Sequence, residues 1–339
     1  MEDYDSVYRA VAFFASKYGK IDWIESNNEY WLQQDAQLRT DFNVETGIKS
    51  DRIEFIKEKS LMKDIYLKAK IPTARQHIVS HLKDAKAFIE EVGYPVIVKP
   101  NIGVGATNTY KFEKDEQLEE FYHHLPKESY VMEEFIEGDI CSYDAIYNSK
   151  YEPLFETMTV WPPSISDIVT KDLDLMYYTC PHVPEKLSIL GRKCVKAFYA
   201  KSRFVHLEFF RLKKAKKGLG EAGDFVALEV NMRPAGGYTP DMFNFAHSVD
   251  VYQIWADMIV YDEVRNTKEG ELFYCAYASR KDSHVYKHSH EELLETYGQE
   301  IVMQEEMPKM NWPQMGRYMY TARLKDLEAV KAFVKFVQE

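Results

Sequence analysis

The chain has 339 residues, 45% of them hydrophobic and 29% charged, with a net charge of −11. That length calls for two or three packed subdomains, and the composition is ordinary for a globular protein in water. No apolar run is long enough to span a bilayer, and the acidic start MEDYDSVYR has no apolar stretch of the kind a secretory signal needs. The acidic balance argues against a nucleic-acid backbone as partner. Four cysteines (Cys141, Cys180, Cys194, Cys275) lie far apart with no CxxC pair, which suits a reducing cytoplasm rather than a disulfide framework or zinc ribbon.

In chain order, residues 5–18 show helical apolar spacing, 21–25 read as a short strand, and 29–42 as a second helix. A Lys-rich amphipathic helix is expected over 51–70, stopped by Pro72. A strand at 75–80 and a helix at 84–92, closed by Gly93, come next. Residues 94–100 (YPVIVKP) form a buried strand, followed by a glycine loop, a strand at 108–112, an acidic helix at 114–123 and a strand at 129–136. This unit reads as a small lobe. An antiparallel run starts at 140–144, and 161–184 reads as a long polar loop, either lining an acceptor pocket with Trp161, Tyr177, Tyr178 and His182 or simply connecting. Residues 185–201 are helical, 204–212 and 224–234 are paired strands around the basic loop 213–217, and two helices follow at 241–247 and 251–261. The tail from Leu272 mixes strands and helices.

The paired strands carry the chemistry. Side chains alternate along a strand, so His206 and Glu208 share one face, as do Glu229, Asn231 and Arg233. If the strands are neighbours, two carboxylates and an amide oxygen converge, a hard oxygen set suited to Mg²⁺. Arg233 can grip a carboxylate or phosphate through its planar fork. Lys99 ends a buried strand just ahead of Gly103 and Gly105, where a lysine needs a charged partner and the glycines let backbone N–H groups approach an anion. His206 is either a base or donor at the site or a satisfied half-buried residue. His284, His288 and His290 are spaced too loosely for a zinc site. The basic loop 213–217 reads as a solvated tip.

Together and in this order, these pieces resemble the ATP-grasp superfamily from about Lys59 to Gly237, over half the chain, most specifically in LEVNMRPAGG from Leu228 to Gly237. The resemblance implies an α/β and α+β multidomain ATP-grasp fold. Its parts would be a partial Rossmann-like region (1–50), a large subdomain (51–93 and 145–270), a small lobe with the glycine flap (94–144) and a small α+β subdomain (271–339). It implies ATP and Mg²⁺ as cofactors, with Glu208, Glu229 and Asn231 as metal ligands and Glu229, Lys99 and Arg233 as catalytic residues. The nucleotide would meet Lys59, Lys99, Gly103, Gly105, Ala106, Glu133, Ile136 and Asp139, with Lys63 in reserve for Lys59. The implied activity is a cytoplasmic carboxylate–amine ligase working through an acyl phosphate on small molecules, a carboxylate and an amine, in a family that often forms homodimers. The alternatives are a bicarbonate-activating carboxyphosphate former and a non-catalytic ATP-binding regulator.

Overall fold

Two antiparallel sheets organise the chain in the computed structural model, which describes residues 2–103, 108–162, 172–265 and 270–339. The amino-terminal region holds α1 (Tyr4–Tyr18), a 3-10 turn (Glu29–Trp31) and α2 (Leu32–Asp41). The strand expected at 21–25 does not form, so the described part of the region expected to be Rossmann-like consists of helices joined by irregular backbone. Side chains take up the polar groups a neighbouring strand would have paired: Arg39 Nε donates to the Ile24 carbonyl (2.8 Å), and Ser26 N donates to Asp35 (2.9 Å).

The helix expected over 51–70 is broken into α3 (Glu54–Lys57) and α4 (Lys59–Lys68) by extended backbone at Glu58. The cause is tertiary. Lys59 N donates to the Asn101 carbonyl (2.9 Å) and Ser60 N to Asn101 Oδ1 (2.9 Å), so a distant residue caps α4.

The four-stranded sheet runs β1 (Gln76–Ile78), β4 (Tyr130–Glu134), β2 (Val96–Pro100), β3 (Tyr110–Phe112). Helices α5 (Leu82–Val92) and α6 (Asp115–His123) pack on one face against Val96, Val98, Tyr130 and Met132. Strand alternation therefore turns Ile97, Lys99, Val131 and Glu133 to the other face. Because β1 and α5 belong to this sheet, residues 76–92 sit with the small lobe and not with 51–75 as expected.

The eight-stranded sheet contains β5 (Gly138–Tyr147), β6 (Pro153–Trp161), β7 (Met176–Cys180), β8 (Arg203–Leu212), β9 (Phe225–Asn231), β10 (Tyr274–Arg280), β11 (Ile301–Glu306) and β12 (Tyr318–Leu324). Its order is β11-β12-β10-β7-β6-β5-β8-β9. Part of the segment read as a loop is thus a strand: β7 links β6 to β10, with Tyr177 stacked between Trp161 and Tyr277. Residues 163–171 of that segment lie outside the described residues. The carboxy-terminal strands extend the main sheet instead of forming a sheet of their own. Helix α7 (Glu185–Ala197) and α4 cover one face, while α8 (Thr239–His247) and α9 (Val251–Tyr261) cover part of the other. Helix α10 (His290–Tyr297), the short α11 (Trp312–Met315) and α12 (Leu327–Gln338) complete the chain. No helix among the described residues is long and apolar enough to cross a membrane.

Candidate active site

Cross-strand register builds one wall of the site. Glu229 lies opposite Glu208, Asn231 opposite His206, Glu208 opposite Ser142 and His206 opposite Asp144. The convergence expected of two carboxylates and an amide is therefore present on neighbouring strands. The row continues inward as Ser142, Thr159 and Thr179, all fully buried. Asp144, itself 0% exposed, accepts from Ser142 Oγ (2.5 Å) and pairs with His206 Nδ1 (2.7 Å), whose Nε2 lies 3.4 Å from Glu208. Burial works against a charge on His206, yet Asp144 and Glu208 raise its pKa to about 9, so the ring is cationic at neutral pH. The same contact, with Arg233 nearby, keeps Glu208 below the usual carboxylate range despite burial. Glu229 is shifted up by burial, with Lys59 opposing and Glu208 adding to the rise.

The small sheet supplies the opposite wall. Glu133, 4% exposed, lies 2.7 Å from Lys99 Nζ and 3.1 Å from Lys63 Nζ. Burial alone would raise its pKa, but the two lysines pull it down to about 2. Expected at an adenine edge, the Glu133 carboxylate is instead engaged by these lysines. Lys63 Nζ also reaches Thr73 Oγ1 (2.7 Å), which donates in turn to the Ala227 carbonyl of β9 (3.0 Å) and so ties α4 to that strand. Lys59 Nζ donates to the Gly103 carbonyl (2.9 Å) and sits 3.4 Å from Glu229. Gly105 and Ala106 of the expected flap lie outside the described residues.

Between the walls runs the hinge. Ile136 is buried, and Gly138 packs so closely on β8 that an added Cβ would lie 2.7 Å from the Arg211 carbonyl oxygen. Asp139 pairs with Lys213 (2.7 Å), Glu137 with Lys214 (2.5 Å), and the buried Glu134 with Lys216 (3.3 Å) and Arg75 (2.8 Å). The loop read as a solvated tip does keep Lys213 and Lys214 exposed, but it also pairs with acids of residues 134–139. Nothing in a lysine run predicts that it folds back onto acids so far upstream in the chain.

Arg233 follows β9, with its Nε 3.3 Å from Glu29 in the amino-terminal region. The three tail histidines do not converge: His284 pairs with Asp172 and Asp174, His288 stacks on Phe336, and His290 meets Tyr320. Among the described residues no three His, Cys, Asp or Glu side chains form a metal cluster. Mg²⁺ does not require one, since it takes one or two carboxylates and fills its remaining positions with water and phosphate oxygens. Two facing carboxylates beside an amide fit such an ion.

Comparison with known proteins gives the following likenesses. Residues 58–162 match the model of an ATP-grasp domain. An L-arginine-specific L-amino acid ligase of Bacillus subtilis is 24% identical over 281 residues, covering 79% of this chain and 66% of that protein. The chain thus spans just under two thirds of this curated relative. Among solved structures, an L-amino acid ligase from Bacillus licheniformis superposes with a TM-score of 0.71 at 15% identity, over 99% of this chain and 83% of that one. The biotin carboxylase domain of a Hydrogenobacter thermophilus 2-oxoglutarate carboxylase, in complex with MgADP and bicarbonate, gives 0.65 at 15% identity, over 96% and 75%. The chain thus contains a segment that matches an ATP-grasp domain and shares the fold of these solved structures.

Proposed function

We propose that this chain is an ATP-dependent carboxylate–amine ligase that activates an acid as an acyl phosphate and releases ADP and phosphate. The observation that carries the reading is the facing of Glu208 and Glu229 on one wall and of Lys63, Lys99 and Glu133 on the other. Glu208, Glu229 and Asn231 would hold Mg²⁺, which when bound supplies positive charge at the nucleotide phosphates. Lys59 and Lys99 would contact those phosphates. The hinge backbone at Ile136 takes the adenine edge and Asp139 the ribose.

A carboxylate and a triphosphate repel each other, so the residues around them must bring cations together before reaction. Arg233 holds the acid by its planar fork and balances the charge on its oxygen as the amine displaces phosphate. Amino acids are the first candidates for acid and amine, because two of the proteins this chain resembles are L-amino acid ligases. A homodimer in a reducing cytoplasm is the proposed setting, the latter in keeping with four free thiols.

The test is Mg²⁺-dependent phosphate release from ATP across pools of amino acids and other carboxylates, with and without amines. Release that needs both an acid and an amine supports the ligase. Release with bicarbonate alone replaces it with carboxyphosphate formation, and ATP binding without release in every pool replaces it with a non-catalytic role.

A further inference from the structure

Glu29 is the only acidic residue among those described that is paired with Arg233, and the pairing is weak. The Oε2 of Glu29 is buried, lies 3.3 Å from Arg233 Nε and has no hydrogen-bond donor. Arg233 meanwhile spends one guanidinium nitrogen on the adjacent Pro234 carbonyl (2.9 Å). A substrate carboxylate presented in plane to the guanidinium makes shorter, charge-assisted bonds and is the better partner.

Glu29 itself is held in place. Its turn begins at Asn28, whose side chain accepts from Tyr30 N (2.9 Å). Four residues earlier, Glu25 Oε2 bridges Arg39 (2.8 Å) and Arg203 (2.9 Å), both 1% exposed. An incoming acid therefore displaces Glu29 from the guanidinium without carrying its carboxylate away. The side chains of Glu29 and Arg233 are 17% and 20% exposed, so both can be reached.

A fixed carboxylate beside a carboxylate-binding arginine is a receptor for a zwitterion. In an α-amino acid the ammonium is attached to the carbon that bears the carboxylate. With the acid on Arg233, that ammonium lies next to Glu29 and gives its buried oxygen the missing donor. We infer that Glu29 is a specificity-determining residue that selects an α-amino acid, with a free ammonium, as the acid to be activated. This inference rests on the ligase reading and adds a substrate contact from the amino-terminal region.

The experiment compares matched acids, L-phenylalanine with 3-phenylpropanoate and L-arginine with 5-guanidinopentanoate. KM from phosphate release and calorimetric binding are both measured, on the wild type and on Glu29→Gln. The wild type is expected to prefer the amino acid roughly 10–100-fold, the range for one charge-assisted hydrogen bond. Glu29→Gln should raise the KM and Kd of the amino acid by that factor, while the des-amino acid binds as well as before or better, having lost a competitor for Arg233. Equal preference by the wild type, which needs no variant, overturns the inference. So does a substitution that moves both acids in the same direction, as a plain counter-ion or a misfolded site would. Release with bicarbonate alone, unstimulated by any amino acid, overturns the ligase reading and this inference with it.

Discussion

The two walls of the cleft hold opposite imbalances of charge. On the small sheet, one carboxylate, Glu133, is shared by two buried lysines, so cation is in surplus. On the large sheet, Glu208 and Glu229 face one another with His206 and Lys59 as their nearest cations. A surplus of lysine attracts phosphate, whereas facing carboxylates attract a divalent ion. Mg²⁺-ATP carries both charges, anionic phosphates and the ion that bridges them, and a cleft with these two walls is complementary to it.

Three substitutions can break or sharpen this contrast. The largest effect is expected for Glu229→Gln, which removes one of the two facing carboxylates of the large-sheet wall. Phosphate release should fall roughly 100–1,000-fold; unchanged turnover in a steady-state assay would show that the metal assignment is wrong.

Glu133→Gln attacks the opposite wall and leaves two buried lysines sharing no anion. Removing one partner of a buried pair costs about 3–5 kcal/mol, to be read from urea unfolding. The pH dependence has a definite sign. The folded pKa of Glu133 is lowered to about 2 from 4.5, so its contribution is present in full above about pH 4.5 and is lost as pH falls toward 2. The gap between wild type and variant should close over that window, and a constant gap would mean Glu133 is not ionised in the fold.

The smallest effect is expected for Lys216→Ala at the hinge. Arg75 still pairs with Glu134, so about 1 kcal/mol or less is at stake. Its signature is local: faster amide exchange over 134–139 with a nearly unchanged global melt. Equal exchange in both proteins would show that the basic loop does not restrain the hinge.

Much of the large-sheet wall is legible in the sequence. Alternation along 204–212 and 224–231 places Glu208, Glu229 and Asn231 on inward faces, and the neighbouring of two strands joined by a hairpin is the common outcome. Lys99 was marked by its place at the end of an apolar strand. The reading went astray where a contact partner is remote. The strand expected at 21–25 has the right residues but no neighbour to pair with. The loop expected at 161–184 contains β7, whose partners include a strand nearly 100 residues downstream. The single helix expected over 51–70 is split because Asn101 caps it from outside.

By itself, the sequence determined which side chains share a face and which runs are apolar, because strand and helix periods are local properties of the backbone. It thereby put Glu208, Glu229, Asn231 and Arg233 on facing positions of two strands and the turn that follows. Only the tertiary structure decided which charges answer one another: Lys63 and Lys99 on Glu133, Lys216 on Glu134, and Glu29 on Arg233. Those pairings join residues from about 30 to more than 200 positions apart, and only the packing of separate elements brings them together. Neither separation nor burial is written into the local pattern.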